Sequence, residues 1–505
     1  MADSLNSFLD EMRDLLGAEG VNDTPGTLYR YGENTMPAGD RPPAAVLYPA
    51  STSDVQSIMR AANRHRVPVH PISAGNNIGL GTRSAMSAGQ VVIDLGRRMN
   101  RIVDVEDRLC YAVIEPGVSY QMLHDELVRR GNRLMIDCTS GPPQGSVLGN
   151  ATDRGAGYTP YFDHFGAICG MEIVLANGEL IRTGAGRDID PTMWHVSKYT
   201  FGPALDGLFV QSNFGIVTRA GIWLMPRPPA MKTFHFSFDD DDALPEILEL
   251  VRPLKLTNLV PSLFRVANDL WLIAEEETHP EYQRSGGKAP LSEDGRRALR
   301  DKYRLGSWTA SGALYGASEQ ALEPTLQRIR KHFAKAVKPM RYIDDAEAAS
   351  LPGLPTAQSV FYGVPSAAEL KQCKWRPGGG LLAFTPGAPL VGESAQKLQI
   401  LARDVLARHG LEYISMWVCA ARMARGLHQI VFNREDDGER ERANQAYIEL
   451  AQSFARAGYM VGRSPIDYQR LHAEDLEPAM HTVQQQLKAV FDPQHILSPS
   501  RYGLD

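Results

Sequence analysis

The chain has 505 residues, of which 43% are apolar and 22% are charged, a composition typical of a globular protein with one to three domains and a sizeable core. Its 53 basic and 59 acidic residues give a net charge of −6, so nothing in the composition indicates nucleic-acid binding. The five cysteines are widely spaced and form no CxxC pair or His/Cys cluster. We therefore predict neither a metal site nor a disulfide framework.

The first twenty residues predict an amphipathic helix that ends at Gly17, where a C-cap belongs. Its apolar face comprises Phe8, Leu9, Met12, Leu15 and Leu16. The segment has neither a basic n-region nor the apolar core of a secretory signal, and no window of 18 apolar residues occurs in the chain. We expect a cytoplasmic protein that does not bind membranes.

Short helices and strands alternate through the next part of the chain. The segment STSDVQSIMRAANRH predicts a helix capped by Ser53, and SYQMLHDELVRRGN predicts a second helix that buries Leu123, Leu127 and Val128. The runs VHPIS, QVVIDL and YAVIEPGV predict strands. This alternation indicates an α/β or α+β protein.

The pattern changes at the proline-rich stretch MPRPPA (225–230), which predicts a domain boundary. The following run FDDDDALPEILELVRPL predicts a helix with acidic residues at its N-terminus, of which 239–242 form a solvated face. Residues 284–297 predict a mobile surface loop. Two later segments, ESAQKLQILARDVLARHG and ERANQAYIELAQSFARAG, predict long amphipathic helices.

A glycine-rich loop, SAGNNIGLG (73–81), follows the predicted strand VHPIS. Its spacing is not the G-x-G-x-x-G of a Rossmann fingerprint, and no helical pattern follows directly. Successive backbone N–H groups in such a turn form a concave anion site, for which a pyrophosphate is a suitable ligand. Taken alone, the loop is equally consistent with an ordinary tight turn.

Several motifs occur in a fixed order after this loop: EPGVSYQMLHDEL, GSVLGNATDRGAGYTPYFDHFG, GMEIVLANGEL, LDGLFVQSNFGIVTRAGIWLMP, FYGVPSAAELKQCKWRPGGG and FDPQHILSPSR. As a set they resemble the vanillyl-alcohol oxidase/4-cresol dehydrogenase family of flavoproteins along nearly the whole chain. The resemblance implies an α+β fold. A two-subdomain FAD-binding domain would comprise residues 1–229 and 464–505, and an antiparallel-sheet cap domain, residues 230–463, would cover the flavin.

The resemblance also implies which residues contact FAD. Small residues let a flat ring and a phosphate bridge lie against the backbone, although each glycine taken singly is consistent with a plain turn. The implied cofactor-binding residues are Ser73, Gly75, Asn76, Asn77, Gly79, Leu80, Gly81, Glu115, Pro116, Gly117, Gly145, Ser146, Gly149, Asn150, Gly155, Gly215, Ile216, Val217, Arg463 and Arg501.

Members of the family transfer a hydride from the benzylic carbon of a para-substituted phenol to flavin N5, and they bind the phenolate with two tyrosines and an arginine. Here the arginine is Arg463, but the tyrosine positions hold Leu80 and Gly462. Of three cap carboxylates only Glu369 is present, since the other two positions hold Met416 and Gln429. We predict catalytic roles for Arg463, Glu369 and Arg501. His164 is equally consistent with a base and with a structural histidine.

The residues that carry flavin covalently in relatives are also replaced, by Leu381 and Cys373. A thiolate could form a thioether, but free cysteine is more often a small buried residue, so we predict FAD held without a covalent bond. The resemblance implies a homodimer and leaves molecular oxygen or a c-type cytochrome as electron acceptor. No CxxCH occurs in this chain, so any haem would belong to another one.

Three functions remain open from the sequence. The first is oxidation of a small aromatic substrate, phenolic or benzylic, by an FAD-dependent oxidase or dehydrogenase. The second is oxidation of a non-phenolic alcohol or a hydroxy acid on the same scaffold, which Leu80 and Gly462 favour. The third is a subunit that keeps the FAD fold for assembly with a redox partner.

Overall fold

The computed structural model describes residues 2–187 and 191–505. Its first sheet has the strand order β1-β2-β4-β3, with parallel pairing of β4 to both β2 and β3. The apolar faces of helices α1 and α3 pack on this sheet in one core. The elements are α1 (Ala2–Leu16), β1 (Val21–Asn22), α2 (Pro25–Gly32), β2 (Ala45–Leu47), α3 (Thr52–His65), β3 (Val69–Ile72) and β4 (Val91–Asp94).

The second sheet is antiparallel, with the order β5-β6-β10-β8-β9, and a small two-stranded sheet pairs β11 with β7. The elements are β5 (Ile102–Glu106), β6 (Tyr111–Ile114), α4 (Tyr120–Arg129), β7 (Leu134–Met135), α5 (Val147–Thr152), α6 (His164–Ala167), β8 (Ile168–Leu175), β9 (Leu180–Arg182), β10 (Gly215–Trp223) and β11 (Met225–Pro226).

The third sheet is antiparallel and has nine strands, in the order β15-β12-β14-β13-β18-β19-β17-β20, with β16 also paired to β19. The elements are β12 (Ala230–Phe238), α7 (Leu244–Leu256), β13 (Phe264–Asn268), α8 (Asp269–Ile273), α9 (Tyr282–Ser285), α10 (Glu293–Tyr303), β14 (Trp308–Gly316), α11 (Glu319–Phe333), β15 (Met340–Ile343), α12 (Asp345–Ala348), α13 (Leu354–Phe361), β16 (Gly380–Phe384), β17 (Pro386–Pro389), α14 (Gly392–Arg408), β18 (Ile414–Cys419), β19 (Met423–Phe432), α15 (Asp437–Arg456) and β20 (Met460–Val461).

Side chains alternate between the two faces of this large sheet, as the two-residue period of a strand requires. On β18, Trp417 packs in the core that also contains residues of α7, α11, α14 and α15. Its neighbours Met416 and Val418 face the opposite core, which includes Tyr158 of the N-terminal half. The sheet thus has one face under its own helices and one face toward the first half of the chain.

The C-terminal segment, with α16 (Gln469–Glu474) and α17 (Pro478–Phe491), returns to the first half. The amide of Val69 on β3 donates to the carbonyl of Ile496, and the amide of Ser498 donates back to Val69, both at 2.8 Å. Among the described residues, short 3-10 turns lie at Gly184–Arg187, Pro191–Met193, Asp206–Phe209, Ala368–Lys374, Pro377–Gly379, Ile466–Tyr468 and Arg501–Gly503.

The α+β prediction is confirmed, and so are the predicted helices and strands, with local corrections. Ser51, not Ser53, caps α3, because its hydroxyl accepts from the amide of Asp54. Leu15 and Val128 are 44% and 46% exposed rather than buried. Residues 284–297 are not simply a loop, since α9 ends and α10 begins within them. In the acidic run, Asp241 is paired with Arg296 and Arg403.

Candidate functional site

A cavity of about 640 Å³ lies between the first half of the chain and the nine-stranded sheet. The first half contributes the glycine-rich loop 73–82 and the segments 139–163 and 209–217 to its wall. The sheet contributes side chains of β16, β18 and β19, and the C-terminal segment contributes Arg501 and Tyr502. The cavity therefore exists only because three separate parts of the chain fold together.

The glycine-rich loop presents unpaired donors to this cavity. In the described part of the chain, the amides of Ala74, Gly75, Asn76 and Ile78 donate no hydrogen bond to any protein acceptor, and all four residues line the wall. Gly75 has φ = +62°, a left-handed conformation that glycine adopts without strain. Four free N–H groups in one turn form a site for an anion such as a diphosphate.

The structure brings most of the predicted cofactor residues to this wall. Those that line it are Ser73, Gly75, Asn76, Asn77, Leu80, Gly81, Pro116, Gly145, Ser146, Gly149, Asn150, Gly155, Gly215, Ile216, Val217, Arg463 and Arg501. Three others lie behind it. Gly79 joins the loop to the sheet, because its carbonyl accepts from the amide of Ala383. Glu115 pairs with Arg101, and Gly117 donates to the carbonyl of Met99.

His164 lies behind the wall and holds one of its residues. Its Nε2 is 2.7 Å from Asp137 Oδ2, and its Nδ1 is 2.6 Å from Asn150 Oδ1. Asp137 Oδ1 also accepts from the amides of Tyr158 and Thr159. Both ring nitrogens are engaged with the protein, so the geometry favours the structural interpretation of His164 over a base.

Arg463 lies on the wall and is neutralised by Asp153, which sequence reasoning missed. Nε and Nη2 of Arg463 donate to Asp153 Oδ2 at 3.0 and 2.5 Å, and Nη2 also donates to Asn77 Oδ1 at 3.3 Å. Tyr502 donates to the other oxygen of Asp153 at 3.1 Å. Burial alone would raise the pKa of Asp153, but Arg463, Arg501 and Tyr502 outweigh it and hold the pKa below its ordinary value.

Arg501 completes this side of the cavity. Its Nη2 donates to the hydroxyl of Tyr502 at 3.3 Å, and its Nη1 lies 3.3 Å from Nε2 of His70. Burial, and then the charge of Arg501, lowers the pKa of His70 well below its ordinary value. The imidazole therefore stays neutral and can accept from the guanidinium.

Glu369, in the 3-10 turn Ala368–Lys374, lies on the cavity wall in an ion pair with buried Arg265 of β13. Nε of Arg265 lies 3.1 Å from the sulfur of Met416, and its Nη1 has no partner in the described residues. Burial raises the pKa of Glu369 despite Arg265. Beside this pair, burial and the charge of Glu369 raise the pKa of Glu275 to about 7.

Tyr413, His428, Tyr468 and Arg501 are four residues whose chemistry could replace the missing tyrosines, and Arg501 lines the cavity. Tyr413 and His428 belong to the helix side of the large sheet, where His428 Nδ1 contacts Ser415 at 2.9 Å. Tyr468 stacks on Tyr447 with ring centroids 3.9 Å apart. None of these three lines the cavity. Arg425 of β19 does line the cavity, and the sequence analysis did not predict it. The two-residue period of a strand puts Arg425 on the same face as Leu427 and Gln429, and this pattern was the available signal.

The positions linked to covalent flavin carry no activated nucleophile. Cys373 is not on the cavity wall, and burial raises the pKa of its thiol to about 11. Leu381 lines the cavity with an inert side chain. Trp375 and Trp417 are fully buried core residues.

Within residues 2–187 and 191–505, no group of three or more His, Cys, Asp or Glu side chains is arranged to hold a metal ion. In the same residues, no helix has both the length and the apolarity needed to cross a membrane.

Comparison with known proteins identifies the cofactor. Residues 43–184 match the model of the FAD binding domain. The chain is 32% identical over 99% of its length to the 4-cresol dehydrogenase [hydroxylating] flavoprotein subunit of Pseudomonas putida, covering 96% of it. It is 31% identical, over 99% of its length and 97% of the relative, to the 1'-carboxy-chondrochloren decarboxylase of Chondromyces crocatus. It also superimposes on p-cresol methylhydroxylase with substrate bound, with a TM-score of 0.96, 31% identity and coverage of 100% and 98%.

Proposed function

Because this chain belongs to the vanillyl-alcohol oxidase/4-cresol dehydrogenase family of FAD-dependent oxidoreductases, we propose that it oxidises a small aromatic substrate, phenolic or benzylic. The observation that carries the proposal is that one cavity joins the free amides of Ala74, Gly75, Asn76 and Ile78 to a wall of apolar and arginine side chains from the nine-stranded sheet and the C-terminal segment. FAD, when bound, supplies the acceptor for the hydride at N5 of its ring.

The chain's own residues would bind and orient both molecules. The amides of Ala74, Gly75, Asn76 and Ile78 would hold the diphosphate, and the small residues of 145–150 would lie against the ring. Arg463, held in place by Asp153, would direct the N–H donors of its guanidinium toward the bound ring. The apolar side chains of Leu381, Val418 and Leu427 would exclude water from the substrate.

Glu369 would act on the part of the cavity wall where it pairs with Arg265 of the nine-stranded sheet. Its raised pKa makes it a better proton acceptor than an exposed carboxylate, and Arg265 limits that rise by favouring the charged form. Such a group can take the proton of a hydroxyl or of a water that reaches the cavity. We assign it the role of general base, with Arg265 as its positioning residue.

The domain limits are part of the proposal: 1–229 and 464–505 for FAD binding, and 230–463 for the cap. The sheet topology supports these limits, because every strand of the nine-stranded sheet lies between Ala230 and Val461. The homodimer and the cytoplasmic location remain predictions. The P. putida relative is named a flavoprotein subunit, which supports a redox partner; a c-type cytochrome and molecular oxygen are the two acceptors to compare.

The test is anaerobic bleaching of the purified yellow protein by 4-alkylphenols, benzylic alcohols and hydroxy acids in separate cuvettes. We expect loss of the oxidised flavin band with at least one aromatic compound and none with the hydroxy acids. Bleaching by hydroxy acids alone would contradict the aromatic substrate. A colourless protein, or one that no compound bleaches, would favour the assembly subunit. Admitting oxygen, or a c-type cytochrome, to the bleached protein identifies the acceptor.

A further inference from the structure

Resting on this proposed function, we propose that Arg425 is the residue that binds the oxyanion of the substrate, in the space that a larger side chain at position 462 would need. The ligand chemistry is an aromatic oxyanion, either a phenolate or a carboxylate. Arg425 belongs to β19 and lines the cavity together with Arg463.

The first support is the position of the guanidinium. A Cβ atom built on Gly462 would have Nε, Cζ and Nη2 of Arg425 as its nearest neighbours, at 3.5, 3.6 and 3.6 Å. The guanidinium therefore lies directly against the bare backbone of Gly462. These are ordinary van der Waals distances, so the guanidinium of Arg425 would be the immediate neighbour of any side chain placed at 462.

The second support is charge. Arg463 has Asp153 as a counter-ion, and Arg265 has Glu369. In the part of the chain that the structure describes, Arg425 forms no ion pair, and its hydrogen bond runs from Nη1 to the carbonyl of Arg154 at 3.4 Å. Burial and then the charge of Arg463 lower the pKa of Arg425, although the charges of Asp163 and Asp153 act in the opposite direction.

Arg425 is partly buried, and a partly buried cation without an ion-pair partner in the described residues gains from a bound anion. A guanidinium presents donors in a planar fork, which suits both the two oxygens of a carboxylate and the single oxygen of a phenolate. For a phenol, Arg425 would stabilise the ionised form and so increase the electron density available for hydride loss. For a carboxylate, it would fix the orientation of the ring.

Binding without turnover tests this inference separately from the proposed function. The probes are 4-nitrophenol, whose ionised form is read from its own absorbance, and benzoate, read by perturbation of the flavin spectrum of the holoenzyme. Wild type is compared with Arg425→Met, Arg425→Lys and the matched control Arg422→Met, an exposed arginine near the same strand. FAD content is measured for every variant.

We expect Arg425→Met to keep its FAD and to bind at least one probe about tenfold or more weakly, Arg425→Lys to be intermediate, and Arg422→Met to match wild type. Weakening of 4-nitrophenol binding identifies the phenolate, and weakening of benzoate binding identifies the carboxylate. Unchanged binding of both probes to Arg425→Met and Arg425→Lys would overturn the inference, as would a wild type that binds neither. A protein that binds these anions through Arg425 but is bleached by no aromatic compound would refute only the proposed reaction.

Discussion

Asp137 Oδ2 lies 2.7 Å from Nε2 of His164, and the other ring nitrogen of that histidine lies 2.6 Å from Oδ1 of Asn150. Asp137 is fixed in turn by the amides of Tyr158 and Thr159. The histidine therefore connects a rigid buried carboxylate to an amide side chain on the cavity wall. This chain of contacts positions Asn150 beside the proposed flavin site.

Substitution His164→Ala should weaken FAD binding about tenfold, because it removes the contact that orients Asn150 and leaves Asp137 Oδ2 without its hydrogen-bond partner. The dissociation constant is measured by quenching of flavin fluorescence during titration of the apoprotein. His124→Ala is the control, since His124 contacts the carbonyl of Gly363 outside the cavity. Equal affinities for the two variants would show that His164 does not position the site.

Substitution Gly75→Ala should also lower the affinity for FAD. Gly75 and Gly89 both have positive φ, of 62° and 80°, so alanine costs about 1 kcal/mol of backbone strain at either position. Only Gly75 lines the cavity beside the free amides, and a Cβ there would lie 2.3 Å from Cγ of Arg83. At Gly89 a Cβ would contact nothing within 4 Å.

We therefore expect Gly75→Ala to lose more stability in urea than Gly89→Ala, because the side chain of Arg83 must also move, and only Gly75→Ala to lose about tenfold or more in FAD affinity. An FAD affinity that falls equally in Gly89→Ala would mean that backbone strain, and not the loop amides, accounts for the effect.

Glu275 should make the stability of the protein fall as pH rises. Its pKa of about 7 in the folded state is above the ordinary 4.5, because burial and the charge of Glu369 disfavour ionisation. The folded state thus holds a proton that the unfolded state has released between these values. The associated stability is complete below about pH 4.5 and is lost as pH rises through about 7.

The free energy of unfolding should fall by at most about 3 kcal/mol between pH 5 and 8. Glu275→Gln should remove most of this pH dependence. Urea unfolding across this range measures it, with Glu276→Gln as a control at an exposed ion pair with Lys371. A pH profile that is the same for wild type and Glu275→Gln would refute this assignment.

FAD should be released when the protein is denatured by acid. Burial raises the pKa of Cys373 to about 11, so the thiol is protonated near neutral pH and is a poor nucleophile. Precipitation with acid should leave all flavin absorbance in the supernatant, for wild type and for Cys373→Ala alike. Yellow colour in the wild-type pellet that Cys373→Ala abolishes would establish a covalent bond at this residue.

The sequence by itself determined the elements whose causes are local. The glycine-rich loop could be found from its spacing because glycine adopts the positive φ seen at Gly75 without strain, and this preference is local. Apolar periodicity located α3 and α4, but it misplaced the cap of α3 by two residues and the burial of Val128, because helix ends and the edge of an apolar face depend on neighbouring elements.

The partners of the site's charged residues were decided only by the tertiary structure. Arg265 and Glu369 are 104 positions apart, and Arg463 and Asp153 are 310 apart. The two-residue period of β19 indicates that Arg425 shares a face with Leu427, but it cannot show that Gly462 leaves room for the guanidinium. Such contacts join distant segments through the packing of a whole sheet on the first half of the chain, and no local pattern contains that information.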